Sequence, residues 1–167
     1  RFFQEAIAYH VRRLPAGKTF LLRICKGAYR DPLALASAKE ISSRYAKLID
    51  YAFDLALETR RRHGAVFYPE FATHDRVLMD TVRFRAEIRK IPKEWYRFAV
   101  LYGRRGNLAS HLVSRGYAVA VYIIFGELWA PYLERRVEEK PSYLFMPFRW
   151  EGKYHRCPDV KHCARKK

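Results

Sequence analysis

Arg135 and Arg136 stand side by side in the stretch PYLERRVEE, residues 131–139. Neighbouring positions on a helix diverge by about 100°, so two adjacent guanidiniums do not share one stripe. Either they serve two surfaces, or they converge from two sides on one small anion. In the second case they offer that anion charge-assisted bonds from two sides. In the first they are a solvated pair, offset by Glu134 and Glu138.

Other side chains with chemical potential follow short apolar runs. Arg23 lies inside the run TFLLRIC, and Lys26-Gly27-Ala28 comes directly after it. Gly27 lets the backbone approach a ligand closely, and Lys26 adds a positive charge; this suits a phosphate or a flavin edge, and equally an ordinary turn. Thr73 and His74 follow a second run, where the histidine is placed to donate to a ligand or to sit satisfied in a loop. The rings of Tyr29 and Tyr122 are candidates for pocket walls or for packing. The sequence has no G-x-S-x-G elbow, no Cys-His pair near a strand end, no Walker loop and no G-x-G-x-x-G. His155, Cys157, His162 and Cys163 do not have the usual zinc-ligand spacing, so no metal site is expected.

The elements that must carry these residues alternate. A helix opens the chain and ends at Pro15-Ala16-Gly17. Thr19 to Cys25 reads as a buried strand, and Ile41 to Arg62 as a helix. A second strand is expected at Ala65–Tyr68 with Phe71-Ala72, then a helix from Asp75 to Lys90 with Val77, Leu78, Val82 and Ile88 inward. Arg97 to Tyr102 is a third strand, and Asn107 is expected to cap a helix running to Arg115. Tyr117 to Ile124 is a fourth strand, followed by a helix from Glu127 to Glu139. Strand-helix alternation implies a parallel α/β sheet. Two architectures suit it: a doubly wound open sheet, or part of a (β/α)8 barrel, which has eight strands and about 250 residues when complete. In either, functional groups gather at the carboxyl ends of the strands.

The 167 residues suggest one domain, and 33 basic against 17 acidic residues give a net charge of +16. This leaves open a basic module for nucleic acid or an anionic membrane surface, without catalytic activity. The basic residues form no single block and no nucleic-acid motif is present, so no nucleic-acid partner is expected. Three cysteines without regular spacing argue against a secreted disulfide scaffold. No apolar stretch reaches the roughly 18 residues of a membrane span. The chain opens without methionine, directly in a helical pattern, and is expected to be a piece of something longer or a processed product.

Taken in order, the motifs resemble the proline dehydrogenase family. LRICKGAYRDP is similar to its R-L-V-K-G-A-Y segment, YPEFATHD to its A-T-H-[ND] segment, and RFAVLYGRRGNL to its F-Q-M-L-Y-G strand. GYAVAVYIIFGELWAPYLERRVEE resembles the final strand and helix, which end in Y-L-x-R-R-x-x-E. The likeness covers roughly residues 20 to 149.

This resemblance implies a fold and a function. The family fold is a distorted (β/α)8 TIM-like barrel with FAD at the carboxyl ends of its strands. The chain would be the carboxyl-terminal half of that barrel, about four parallel strands with helices over residues 1–149, with an irregular basic tail at 150–167. The implied reaction is oxidation of L-proline to 1-pyrroline-5-carboxylate, with electrons passed to quinone. A cytoplasmic location follows, with peripheral contact at the inner membrane as an option. By the same resemblance Arg23 would lie at the reactive part of the flavin, with Lys26, Gly27, Ala28, Thr73 and His74 also on the cofactor. Tyr29, Tyr122 and Tyr132 would line the proline site, and Arg135 and Arg136 would hold the proline carboxylate with Glu139 orienting them. The sequence departs from the family at Ala99, where the family has glutamine, and in the tail after Arg149. The family's first half-barrel, which supplies a substrate-site lysine and a catalytic aspartate, has no counterpart here.

Overall fold

The structure, a computed structural model, describes residues 2–26, 37–62, 66–102, 106–123, 134 and 137. The chain divides into two units, Arg1–Tyr122 and Ile123–Lys167. The first carries α1 (Phe2–Arg12), β1 (Thr19–Cys25), α2 (Ala38–Arg62), β2 (Val66–Ala72), α3 (Arg76–Ile88), a 3-10 turn at Lys93–Trp95, β3 (Arg97–Leu101), α4 (Gly106–Ser114) and β4 (Val119–Tyr122). In the second, Glu134 and Val137 are helical, in line with the expected final helix.

The four strands are parallel and stand in sequential order, β1-β2-β3-β4. A doubly wound sheet reverses its strand order partway, whereas a barrel winds in one direction. Sequential order with helical crossovers, which are right-handed with few exceptions, places the connecting helices on one side of the sheet. The chain is therefore α/β with barrel-like winding.

The core lies between that side of the sheet and the helices. Phe67, Phe71 and Phe98 point from the strands into it and are fully buried, as are Ile49, Phe53 and Ala56 of α2. The rings of Phe53 and Phe71 meet edge-to-face at 5.3 Å, and Phe53 meets Tyr96 at the same distance. Tyr45, also buried, donates its hydroxyl to the Ile24 carbonyl at 3.0 Å, which ties α2 to β1.

Several local expectations change. β2 runs unbroken through Pro69 and Glu70. β3 pairs only with Glu70–Ala72, so Pro69 sits where β2 has one neighbour instead of two, a place where a missing N–H is tolerated. In α3 the inward residues are Leu78, Met79, Val82 and Ala86, whereas Val77 and Ile88 are exposed. The series 78, 82, 86 keeps one face at four-residue steps, and Val77 and Ile88 fall off it. Asn107 lies inside α4 and not at its cap. The fourth strand is shorter than its apolar run, at Val119–Tyr122.

Candidate active site

Parallel pairing brings the carboxyl ends of all four strands to one edge. The backbone ladder reaches that edge: Lys26 N–H donates to the Ala72 carbonyl at 3.2 Å, and Tyr102 N–H to the Tyr122 carbonyl at 2.9 Å. Lys26, Thr73, His74 and Tyr122, all named from the sequence, lie along it.

Each is fixed by identifiable bonds. The Lys26 ammonium is 2.7 Å from Asp75 Oδ2. Asp75 caps α3, accepting at Oδ1 from the N–H groups of Val77 at 3.0 Å and Leu78 at 3.4 Å. The bond from Lys26, with these backbone donors, holds the Asp75 carboxyl below the usual aspartate range. Lys26 keeps two further N–H donors, so the pairing positions the ammonium without exhausting it. The Thr73 hydroxyl accepts from Asp75 N–H at 3.1 Å. Its own proton has no hydrogen-bond acceptor among the described residues, although Thr73 is only 4% exposed. His74 reaches across to β3, where its Nε2 accepts from Leu101 N–H at 3.0 Å. A neutral ring held in this way carries its proton on Nδ1, so His74 faces the rest of its surroundings as a donor.

Arg23 sits on β1, on the sheet face away from the helices, with its side chain 43% exposed. Its Nε donates to Glu70 Oε1, and its guanidinium carbon lies 5.2 Å from the centroid of the Tyr122 ring. The bond to Glu70 raises the Arg23 pKa, so the group is a permanent cation. Tyr122 thus joins the Arg23 cluster from the far edge of the sheet. Cys25 is exposed on this face, and partial desolvation of its thiol pushes its pKa up.

Two residues of this cluster are absent from the sequence reading. Glu70 is fully buried and accepts from Arg23 at one oxygen and from Arg97 Nε at the other. The signal available in the sequence is a glutamate and an arginine inside strands that are otherwise apolar, a placement that is costly unless the charges are paired. Ala99, at the position of the family glutamine, is buried on β3. Gly27, Ala28, Tyr29, Tyr132, Arg135, Arg136 and Glu139 lie outside the described residues, as do the four His and Cys residues of the tail.

A fully buried anion between two cations, a buried hydroxyl, an oriented imidazole and a positioned ammonium lie together at this edge among the described residues. Such a set suits an acceptor-rich planar cofactor with phosphates, and FAD has this chemistry.

The sequence profile of the proline dehydrogenase family matches residues 4–143. Proline dehydrogenase 2 of Bacillus subtilis (strain 168) is 31% identical over 130 residues, 77% of this chain and 40% of that protein. Proline dehydrogenase of Deinococcus radiodurans is 31% identical over 122 residues, 72% of this chain and 36% of that protein. The chain therefore spans about two-fifths of the length of these relatives. Among solved structures it resembles proline utilization A (PutA) from Bdellovibrio bacteriovorus inactivated by N-propargylglycine, with a TM-score of 0.67 and 25% identity over 89% of this chain and 16% of that one. Together with the barrel-like winding and the motifs at the strand ends, the profile match shows that the chain belongs to the proline dehydrogenase family.

Proposed function

We propose that this chain forms the cofactor- and substrate-binding half of a flavin-dependent proline dehydrogenase that converts L-proline to 1-pyrroline-5-carboxylate. The observation that carries the reading is the convergence of Arg23, Lys26, Thr73 and His74 along β1 and β2 toward one edge of the sheet, in a chain of this family. When bound, FAD would supply the electron acceptor for the reaction. The chain's own residues do the rest. Arg23 places a fixed positive charge beside the reactive part of the cofactor; Lys26, Thr73 and His74 donate to it, and Gly27 and Ala28 allow close backbone approach.

On the substrate side, Tyr29, Tyr122 and Tyr132 wall the ring of proline. Arg135 and Arg136 grip its carboxylate, and Glu139 orients them. Holding the carboxylate fixes which ring carbon faces the cofactor, so the binding energy at the charged end is used for orientation. Proline then loses a hydride equivalent from the carbon next to nitrogen and a proton from nitrogen, leaving the C=N bond of the product. Quinone is the proposed final acceptor, reached through peripheral membrane contact; no helix among the described residues is long and apolar enough to cross a membrane. Residues 150–167 are rich in Lys and Arg, and no catalytic role is proposed for them.

The test is a chimera in which this chain replaces the matching segment of the Bacillus subtilis relative. The expected result is a yellow protein with flavin absorbance and proline-dependent reduction of a dye. A chimera that folds but takes up no FAD overturns the reading.

A further inference from the structure

The register of the sheet sets Arg23 opposite Glu70, and Glu70 opposite Arg97. Three charged side chains therefore form one row across β1, β2 and β3, on the face away from the helices. Glu70 is fully buried, whereas the Arg23 and Arg97 side chains are 43% and 33% exposed. Each carboxylate oxygen takes one arginine through its Nε. A buried carboxylate is retained only when such partners satisfy it, and these two also take their geometry from it. The bond at Nε does not use the terminal nitrogens of Arg23, and the Tyr122 ring, 5.2 Å from its guanidinium carbon, supports it from another side.

We infer that Glu70 is a positioning residue that holds the Arg23 guanidinium against the cofactor, with Arg97 bracing the carboxylate from behind. This rests on the proposed flavin contact of Arg23. An arginine side chain has many rotamers, and one anchored at Nε loses most of them before the ligand arrives. The net charge of the row is positive, because two cations share one anion. Glu70 thus turns a flexible surface cation into a fixed one at the cost of one negative charge.

That trade makes the test a question of sign. The FAD-loaded chimera is prepared as wild type, Arg23→Gln, Glu70→Leu and Glu70→Gln, and the flavin midpoint potential of each is measured by spectroelectrochemical titration. A cation beside the reactive end of the flavin favours the electron-rich reduced form, so Arg23→Gln moves the midpoint negative. If Glu70 positions Arg23, both Glu70 variants move it negative too. Leucine does so about as far as Arg23→Gln, and glutamine, which keeps an acceptor for one arginine, does so less. Deleting a negative charge without any loss of positioning would move the midpoint positive. A positive shift, or none, overturns the inference. If Arg23→Gln itself leaves the midpoint unmoved, the flavin contact of Arg23 fails and the role of Glu70 fails with it. If the wild-type chimera holds no FAD, the proposed function fails as well. Should Glu70→Leu not fold, Glu70→Gln alone decides by its sign.

Discussion

On the helix side of the sheet, Ile24, Phe67, Phe71, Phe98 and Val100 are each 4% exposed or less. On the opposite face the same strands carry Arg23, Glu70 and Arg97, with Leu21 and Cys25 exposed beside them. One step along a strand separates the two sets, because successive side chains point to opposite faces. The covered face holds the fold together by burial, and the open face holds charges that would be too costly without partners. A parallel sheet usually has both faces covered, so an open polar face is where ligand chemistry has room.

The sharpest way to break that division is on the covered side. Phe71 is fully buried and packs edge-to-face on Phe53. Phe71→Ala is expected to cost about 3–5 kcal/mol, the lost transfer energy plus the cavity it leaves. Chemical denaturation of the chain measures it. A loss under about 1 kcal/mol would mean that the aromatic layer is not the structural core.

How much of this was legible beforehand follows the same division. Apolar runs and helical spacing mark each strand and α-helix among the described residues of the first unit, because burial on one face writes a period into the sequence. The errors fell where a local signal met tertiary context. The expected second strand skips Pro69 and Glu70, yet β2 passes through both, with Pro69 beside a single neighbour. Val77 and Ile88 read as core, yet the face set by Leu78, Val82 and Ala86 leaves them in solvent. Of the candidate site, Arg23, Lys26, Thr73 and His74 are marked in the sequence by motifs, and they lie on or just after β1 and β2. Glu70 and Arg97 are not so marked, since a charge row across three strands depends on register, and register is a property of pairing that no single segment contains.

Asp75 sits at the seam between the two regions and gives a smaller effect. It caps α3 and holds Lys26 at the sheet edge. Asp75→Ala removes both and is expected to cost about 1 kcal/mol, the usual value of a lost cap. Asp75→Asn keeps an acceptor for the cap and loses only the exposed part of the charge pairing, so it costs less. The Asp75 pKa is depressed in the folded chain, chiefly by the bond from Lys26. A depressed carboxylate contributes stability that is fully present above its unfolded value of 3.8 and is lost as pH falls through the lower folded value. Thermal melts of wild type should therefore fall off below that pH more steeply than those of Asp75→Asn. Parallel acid limbs would mean that the Lys26 pairing adds nothing.

Leu21 sharpens the division most, with the smallest effect. It lies on the open face of β1, two residues before Arg23, and is 43% exposed. In this chain alone, Leu21→Ser removes little buried area and should change stability by less than about 0.5 kcal/mol. In the chimera the remaining barrel strands close over this face, and the interior of a (β/α)8 barrel is packed with side chains. There the same substitution should cost about 1.5–3 kcal/mol, the value of a buried leucine. Denaturation of the two pairs of proteins reads the difference directly. Equal small costs in both contexts would mean that the face stays open when the barrel is complete, and then Arg23 and Glu70 would belong to a solvated surface and not to a site.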